Sequence, residues 1–245
     1  MENNNLQDMR ILGAGSISEG EYNNIKIAGS CDILGNIKAN SVSGSGSMFF
    51  RGNIEVENIK SSGSFTCQGS VISKGEIKTS GSAEFNNNVE GKEIIINGGS
   101  KIDGNISFEK MITRGSCYIK GDCEGEDFSS LGEISVEGLL AADKIFIVPE
   151  GNSHIREIGG AEINVKAEKK KKIMFFNITI GSEGKLKCNI IEGDKIHLEN
   201  TKCKIVRGEN ITIGKGCNIE RIEYTEELNI ENEKSTVGEK VCMKI

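Results

Sequence analysis

The chain has 245 residues, with 31 glycines, one proline, nine phenylalanines, three tyrosines and no tryptophan. The glycine is too sparse for collagen, which needs it at every third position, and the recurring Ile and Val argue against a disordered chain. A net charge of −6 excludes a general nucleic-acid surface, which needs a basic footprint.

Residues 1–12 read as a polar tail without the apolar stretch of a signal peptide. No apolar run reaches the ~18–20 residues of a spanning helix. The expected location is the cytoplasm, extending to the inner face of the cell membrane.

A repeat begins at residue 13 and continues to 146. Glycine falls at 29, 46, 63, 81, 98, 115 and 132, in steps of 17 with one of 18. A second series in phase runs Gly35, Gly52, Gly69, Asn87, Gly104, Gly121 and Gly138. Asn87 is its single substitution, and asparagine tolerates a positive φ best after glycine. Two residues before the second marker stand Ile33, Phe50, Cys67, Phe85, Ile102, Ile119 and Val136. Two residues after it stand Ile37, Ile54, Val71, Val89, Ile106, Cys123 and Leu140. A third apolar position follows at Val42, Ile59, Ile77 (one further on), Ile94, Met111, Phe128 and Ile145. No copy has room for an amphipathic helix, and none can bury its apolar face alone. Stacking the copies closes a core, so the expected fold is all-β: a parallel β-solenoid with about 17 residues per coil.

Residues 147–172 break this phase and hold the only proline, Pro149, and the run Lys169–Lys172. They read as a linker between two solenoids or as a loop extruded from one. A second, shorter solenoid is expected over 173–233, with strand pairs Ile178/Ile180, Ile196/Leu198, Ile211/Ile213 and Leu228/Ile230. Cys188, Cys203 and Cys217 are expected in one stacked column, and 234–245 as a C-terminal tail.

Little in the chain reads as chemistry. The eight cysteines form no CxxC pair, so they are read as buried apolar residues rather than a zinc site or disulfide framework. His154 and His197 have no nucleophile or carboxylate at motif spacing, and His197 should point away from the core. The glycines at Gly13–Ser18 and Gly44–Ser47 lack a P-loop lysine. The carboxylates of Asp122–Asp127 lack the spacing of a calcium loop. No catalytic, cofactor or metal residue is assigned. Lys169, Lys170, Lys171 and Lys172 precede the apolar Ile173–Phe176. They are candidates for peripheral contact with an anionic membrane, at ~1 kcal/mol per charge. The competing reading is a solvated loop entering a strand.

The repeated GS-x-x-[IF]-x-G-[NS]-[IV] unit resembles the bactofilins, bacterial polymer-forming cytoskeletal proteins. The second half is similar to extended members of that family through Ser153–Gly160, Ile191–Asn200 and Glu223–Leu228. The resemblance implies a right-handed β-helix and end-to-end nonpolar filaments that need no nucleotide. It implies a scaffold for cell shape, envelope-modifying enzymes or motility structures, partnered mainly by copies of itself. The family's short N-terminal apolar membrane motif is poorly matched by Met9–Leu12. Physics points the same way, because an uncapped solenoid exposes unpaired backbone at its terminal coils. Ile25 and Ile27 are the candidate interface at one end, Leu228 and Ile230 at the other. Rival readings are a non-polymerising envelope- or partner-binding adaptor and a left-handed β-helix acyltransferase. The acyltransferase would need a sustained six-residue period, which this sequence lacks.

Overall fold

The computed structural model describes residues 6–167, 171–173, 178–180, 184–232 and 234–243. The chain is all-β, a parallel β-solenoid of about 13 turns with ~17 residues per turn, and it has no helix among the described residues. It divides into two compact units, Met1–Gly121 and Asp122–Ile245. The division therefore falls inside the regular repeat and not at the phase break near residue 147.

In the first unit, β1 (Met9–Ile17) and β2 (Gly20–Ile33) are followed by pairs of longer and shorter strands. These are β3 (Ile37–Gly44), β4 (Ser47–Phe50), β5 (Ile54–Ser61), β6 (Ser64–Cys67), β7 (Val71–Thr79) and β8 (Ser82–Phe85), then β9 (Val89–Ile102) and β10 (Ile106–Ile119). The parallel register puts Ile25, Val42, Ile59, Ile77, Ile94 and Met111 in one column. It puts Ile33, Phe50, Cys67, Phe85, Ile102 and Ile119 in another. No member of either column exposes more than 1% of its surface. Ile77 sits one residue late in sequence because the register shifts between Ser73 and Glu76, where a bulge absorbs the extra residue. Phe50, Phe65 and Phe85 form a ring stack with centroids 5.4 and 5.3 Å apart.

The two glycine series have a cause beyond corner flexibility. A Cβ on Gly46, Gly63, Gly81, Gly98 or Gly115 would overlap the carbonyl oxygen of the series glycine one coil earlier. Backbone approaches backbone too closely there for any side chain. In the second series Gly52, Gly69, Gly104 and Gly121 are likewise crowded by the preceding coil and none has a positive φ, whereas Asn87 stands there with a side chain. Asn200, at φ 46°, is the one described non-glycine residue with positive φ, so Asn87 does not adopt the conformation expected of it. After that series comes a polar ladder. The Asn53 N–H donates to Asn36 Oδ1 at 2.8 Å, Ser70 N–H to Asn53 Oδ1 at 2.8 Å, and Asn105 N–H to Asn88 Oδ1 at 2.9 Å. Each side chain satisfies a corner amide that a turn between strands would otherwise leave unpaired.

The second unit contains β11 (Cys123–Pro149), β12 (Asn152–Val165), β13 (Lys171–Ile173), β14 (Ile178–Ile180), β15 (Lys185–Leu198), β16 (Thr201–Ile213), β17 (Asn218–Ile230) and β18 (Thr236–Cys242). Several expectations change here. Residues 152–165 are neither linker nor loop; they form a full rung between β11 and β15. Ile155, Ile158, Ile163 and Val165 supply its buried face, so this segment can pay its own way in the core. The excursion lies later, between Val165 and Lys185. Ile178 and Ile180 belong to it, in an antiparallel pairing of β13 with β14, and not to the stack. Ile163/Val165, Ile196/Leu198, Ile211/Ile213 and Leu228/Ile230 are the stacked pairs instead. Cys188 and Cys203 do share a column, but it continues to Ile219. Cys217 precedes that position by two residues, because the turn before β17 is longer than the one before β16. Residues expected in the tails are also ordered strands: Met9–Leu12 within β1, and Thr236–Cys242 as β18.

Candidate functional site

The described core is built mainly of Ile, Val, Phe and Cys side chains, so edges and faces are the candidate working surfaces. β1 pairs through its whole length with β2, from Met9↔Ile25 to Ile17↔Ile33. Its other edge has no partner strand among the described residues. Ile11 on that edge is half-buried, and Leu12 is 68% exposed. Ile25 and Ile27 are thereby removed from the candidate interface. They lie under β1, at 0% and 3% exposure, as core of the second rung. The sequence placed the first rung one coil too late because Gly13 pairs with Gly29 at a step of 16, out of phase with the 17-residue series that begins at Gly29.

Leu228 and Ile230 do lie at an open edge. They pair inward with Ile211 and Ile213. β18 covers β17 only from Asn218 to Tyr224, so 225–230 has no partner on the outer side among the described residues. Both side chains stay half-buried, whereas Ile211 and Ile213 expose 1% and 0%. Of the basic run, Lys169 and Lys170 lie outside the described residues, and Lys171 and Lys172 are in β13.

The last rungs are tied by a charged ladder. Glu223 accepts from Arg207 Nε and from Arg221 Nε, both at 2.6 Å, and Arg221 reaches Glu239 on β18 at 2.6 Å. Hydrogen bonds from Arg207 and then Arg221 hold the Glu223 carboxyl below its ordinary range. The same bond to Glu223 raises the Arg207 guanidinium. The ladder clips β18 laterally without covering Leu228 and Ile230.

The thiols are placed for packing. Burial pushes Cys67 up to about 12, and Cys117 and Cys217 up to about 11. Cys188 is raised by its contact with Cys203 and then by burial. A thiol that stays protonated at neutral pH is a poor nucleophile. Cys242 alone is exposed. With Ellman's reagent at pH 8, one thiol is expected to react in the native protein and eight after denaturation; rapid reaction of three or more native thiols would contradict this packing. His154 and His197 are both partly exposed, His197 between the buried Ile196 and Leu198. Among the described residues no group of three or more His, Cys, Asp or Glu could hold a metal ion. Among the described residues no helix is long and apolar enough to cross a membrane.

The chain is similar to two proteins of Bacillus subtilis (strain 168). It is 46% identical over 72 residues to the uncharacterized protein YhbF, which covers 29% of this chain and 28% of that one. It is 40% identical over 91 residues to the uncharacterized protein YhbE, which covers 37% of each chain. The match spans only about a third of those relatives' length. No family model matches the chain, and no solved structure does.

Proposed function

We propose that this protein is a non-enzymatic, bactofilin-like scaffold that assembles through its open edge strands into filaments without nucleotide. In this reading it supports cell shape, envelope or motility structures from the cytoplasmic side. The observation that carries the reading is the pair Leu228/Ile230, apolar residues left half-buried on the part of β17 past Tyr224, whose outer edge has no partner strand among the described residues. An open parallel edge with apolar columns is a template for another chain. The unpaired edge of β1, with Ile11 half-buried, is a second such template.

Negative-stain microscopy and sedimentation of the purified protein test this. Filaments are expected at micromolar concentration in the absence of ATP and GTP; monodisperse monomers would favour an adaptor that binds its partner without polymerising. Ile230→Lys and Ile11→Lys are expected to shorten or abolish filaments while leaving the circular dichroism spectrum unchanged. Filaments of undiminished length in both variants reject these edges as the contact. Ile27→Lys is a poor probe, since it puts a charge into the core and unfolds the rung.

A further inference from the structure

Most described lysines on the first unit have a carboxylate partner. Lys38 and Lys74 lie near Glu55, Lys92 near Glu109, and Lys101 near Asp103. Of those without one, Lys110 and Lys120 stand apart, whereas Lys26 and Lys78 share a column. Arg10, Lys26, Ser43, Lys60 and Lys78 occupy the same position on five successive rungs. That spaces their Cα atoms by ~4.8 Å. Lys60 pairs with Glu76 at 3.0 Å. Arg10, Lys26 and Lys78 have no carboxylate within ion-pair distance among the described residues. Asp8, whose Oδ1 accepts from Asn23 and Asn24, feels the charge of Lys26 without forming an ion pair with it. Like charges stacked this closely repel one another, and they do so in a stretch, residues 1–139, that carries 19 acidic and 12 basic residues.

Two residues along each strand, the next outward position holds Ser45, Ser62 and Ser80, all exposed. Their amides donate to Ile27, Gly44 and Ser61 carbonyls at 2.8–3.1 Å, which fixes the rim. Between column and rim runs a concave groove of about 590 Å³. Gly44 contributes no side chain to its floor, and Ser61 there has a buried hydroxyl with no hydrogen-bond partner among the described residues.

We propose that this groove docks a linear anionic polysaccharide, one acidic sugar per rung or two, with the cationic ladder meeting its carboxylates and the serine rim its hydroxyls. The charge is of the right sign and repeats along a line. The groove has no aromatic residue on which a nucleobase could stack.

The test is fluorescence anisotropy with a labelled oligogalacturonate, a linear polyuronate, at low salt. Binding is expected, weakening as salt rises. Arg10→Gln, Lys26→Gln and Lys78→Gln together are expected to lose roughly tenfold in affinity, from exposed charges worth a few tenths of a kcal/mol each. A matched triple at Lys38, Lys92 and Lys101 makes the same change in net charge and should lose less than twofold. No binding, equal loss in both triples, or tighter binding to single-stranded DNA or phosphatidylglycerol vesicles would overturn the proposal. The signal is read whether or not filaments form, so failure of assembly leaves this inference standing.

Discussion

Phe65→Ala is expected to lower the unfolding free energy by about 3–5 kcal/mol. Phe65 is 1% exposed and sits between Phe50 and Phe85, touching one ring above and one below. Truncation removes both ring contacts and leaves a cavity that parallel rungs cannot close, because the hydrogen-bonded ladder fixes the distance between them. Phe65→Leu, which keeps most of the volume, should cost less than about 1.5 kcal/mol. Urea denaturation followed by circular dichroism reads the difference as a shift in midpoint with little change in slope. A loss under 1 kcal/mol for the alanine variant would mean that this part of the core is not packed as described.

Gly46→Ala should be nearly as damaging despite adding only a methyl group, at about 3 kcal/mol, the upper part of the overpacking range. The new Cβ would overlap the Gly29 carbonyl oxygen, which is backbone and cannot swing aside. The rungs carrying Gly29 and Gly46 must separate, and separation breaks ladder bonds such as Ser45 N–H to the Ile27 carbonyl oxygen at 3.1 Å. Gly159→Ala is the matched control. A Cβ there meets nothing within 4 Å, so it should be neutral or slightly stabilising. The same denaturation measurement decides. Equal midpoints for the two variants would show that the glycine column is a matter of sequence habit and not of close approach.

Much of the first unit was legible because each buried position recurs. Ile33, Phe50, Cys67 and Phe85 differ in size and chemistry, yet their fixed step identifies them as one column. The sequence misled where the spacing relaxes. Cys188, Cys203 and Cys217 look periodic, but turns of unequal length shift Cys217 out of the column. Ile178 and Ile180 have the right alternation for a rung, and alternation alone cannot tell a parallel rung from a short antiparallel pair. Segment 152–165 was hidden by Pro149 and by the change of step after it. The edges were the least legible part. Whether Ile25 is a terminal residue or a covered one depends on what Met9–Ile17 does, and that segment stands 16 residues before its partner, off the 17-residue step that marks the next rungs. The cationic ladder was equally invisible, since Arg10, Lys26, Lys60 and Lys78 align only once the bulge near Gly75 is known.

β12 and β15 are hydrogen-bonded neighbours in unbroken register, from Asn152↔Lys185 to Val165↔Leu198, although the chain leaves the stack between them. The two rungs therefore do not depend on what the intervening segment contains. Loop-closure entropy grows only logarithmically, about 0.6 kcal/mol for each doubling of length. The corner after Val165 is thus a natural port in the wall of the solenoid, where a reporter, an affinity tag or an entire foreign domain can be spliced in while the strands on both sides keep their pairing.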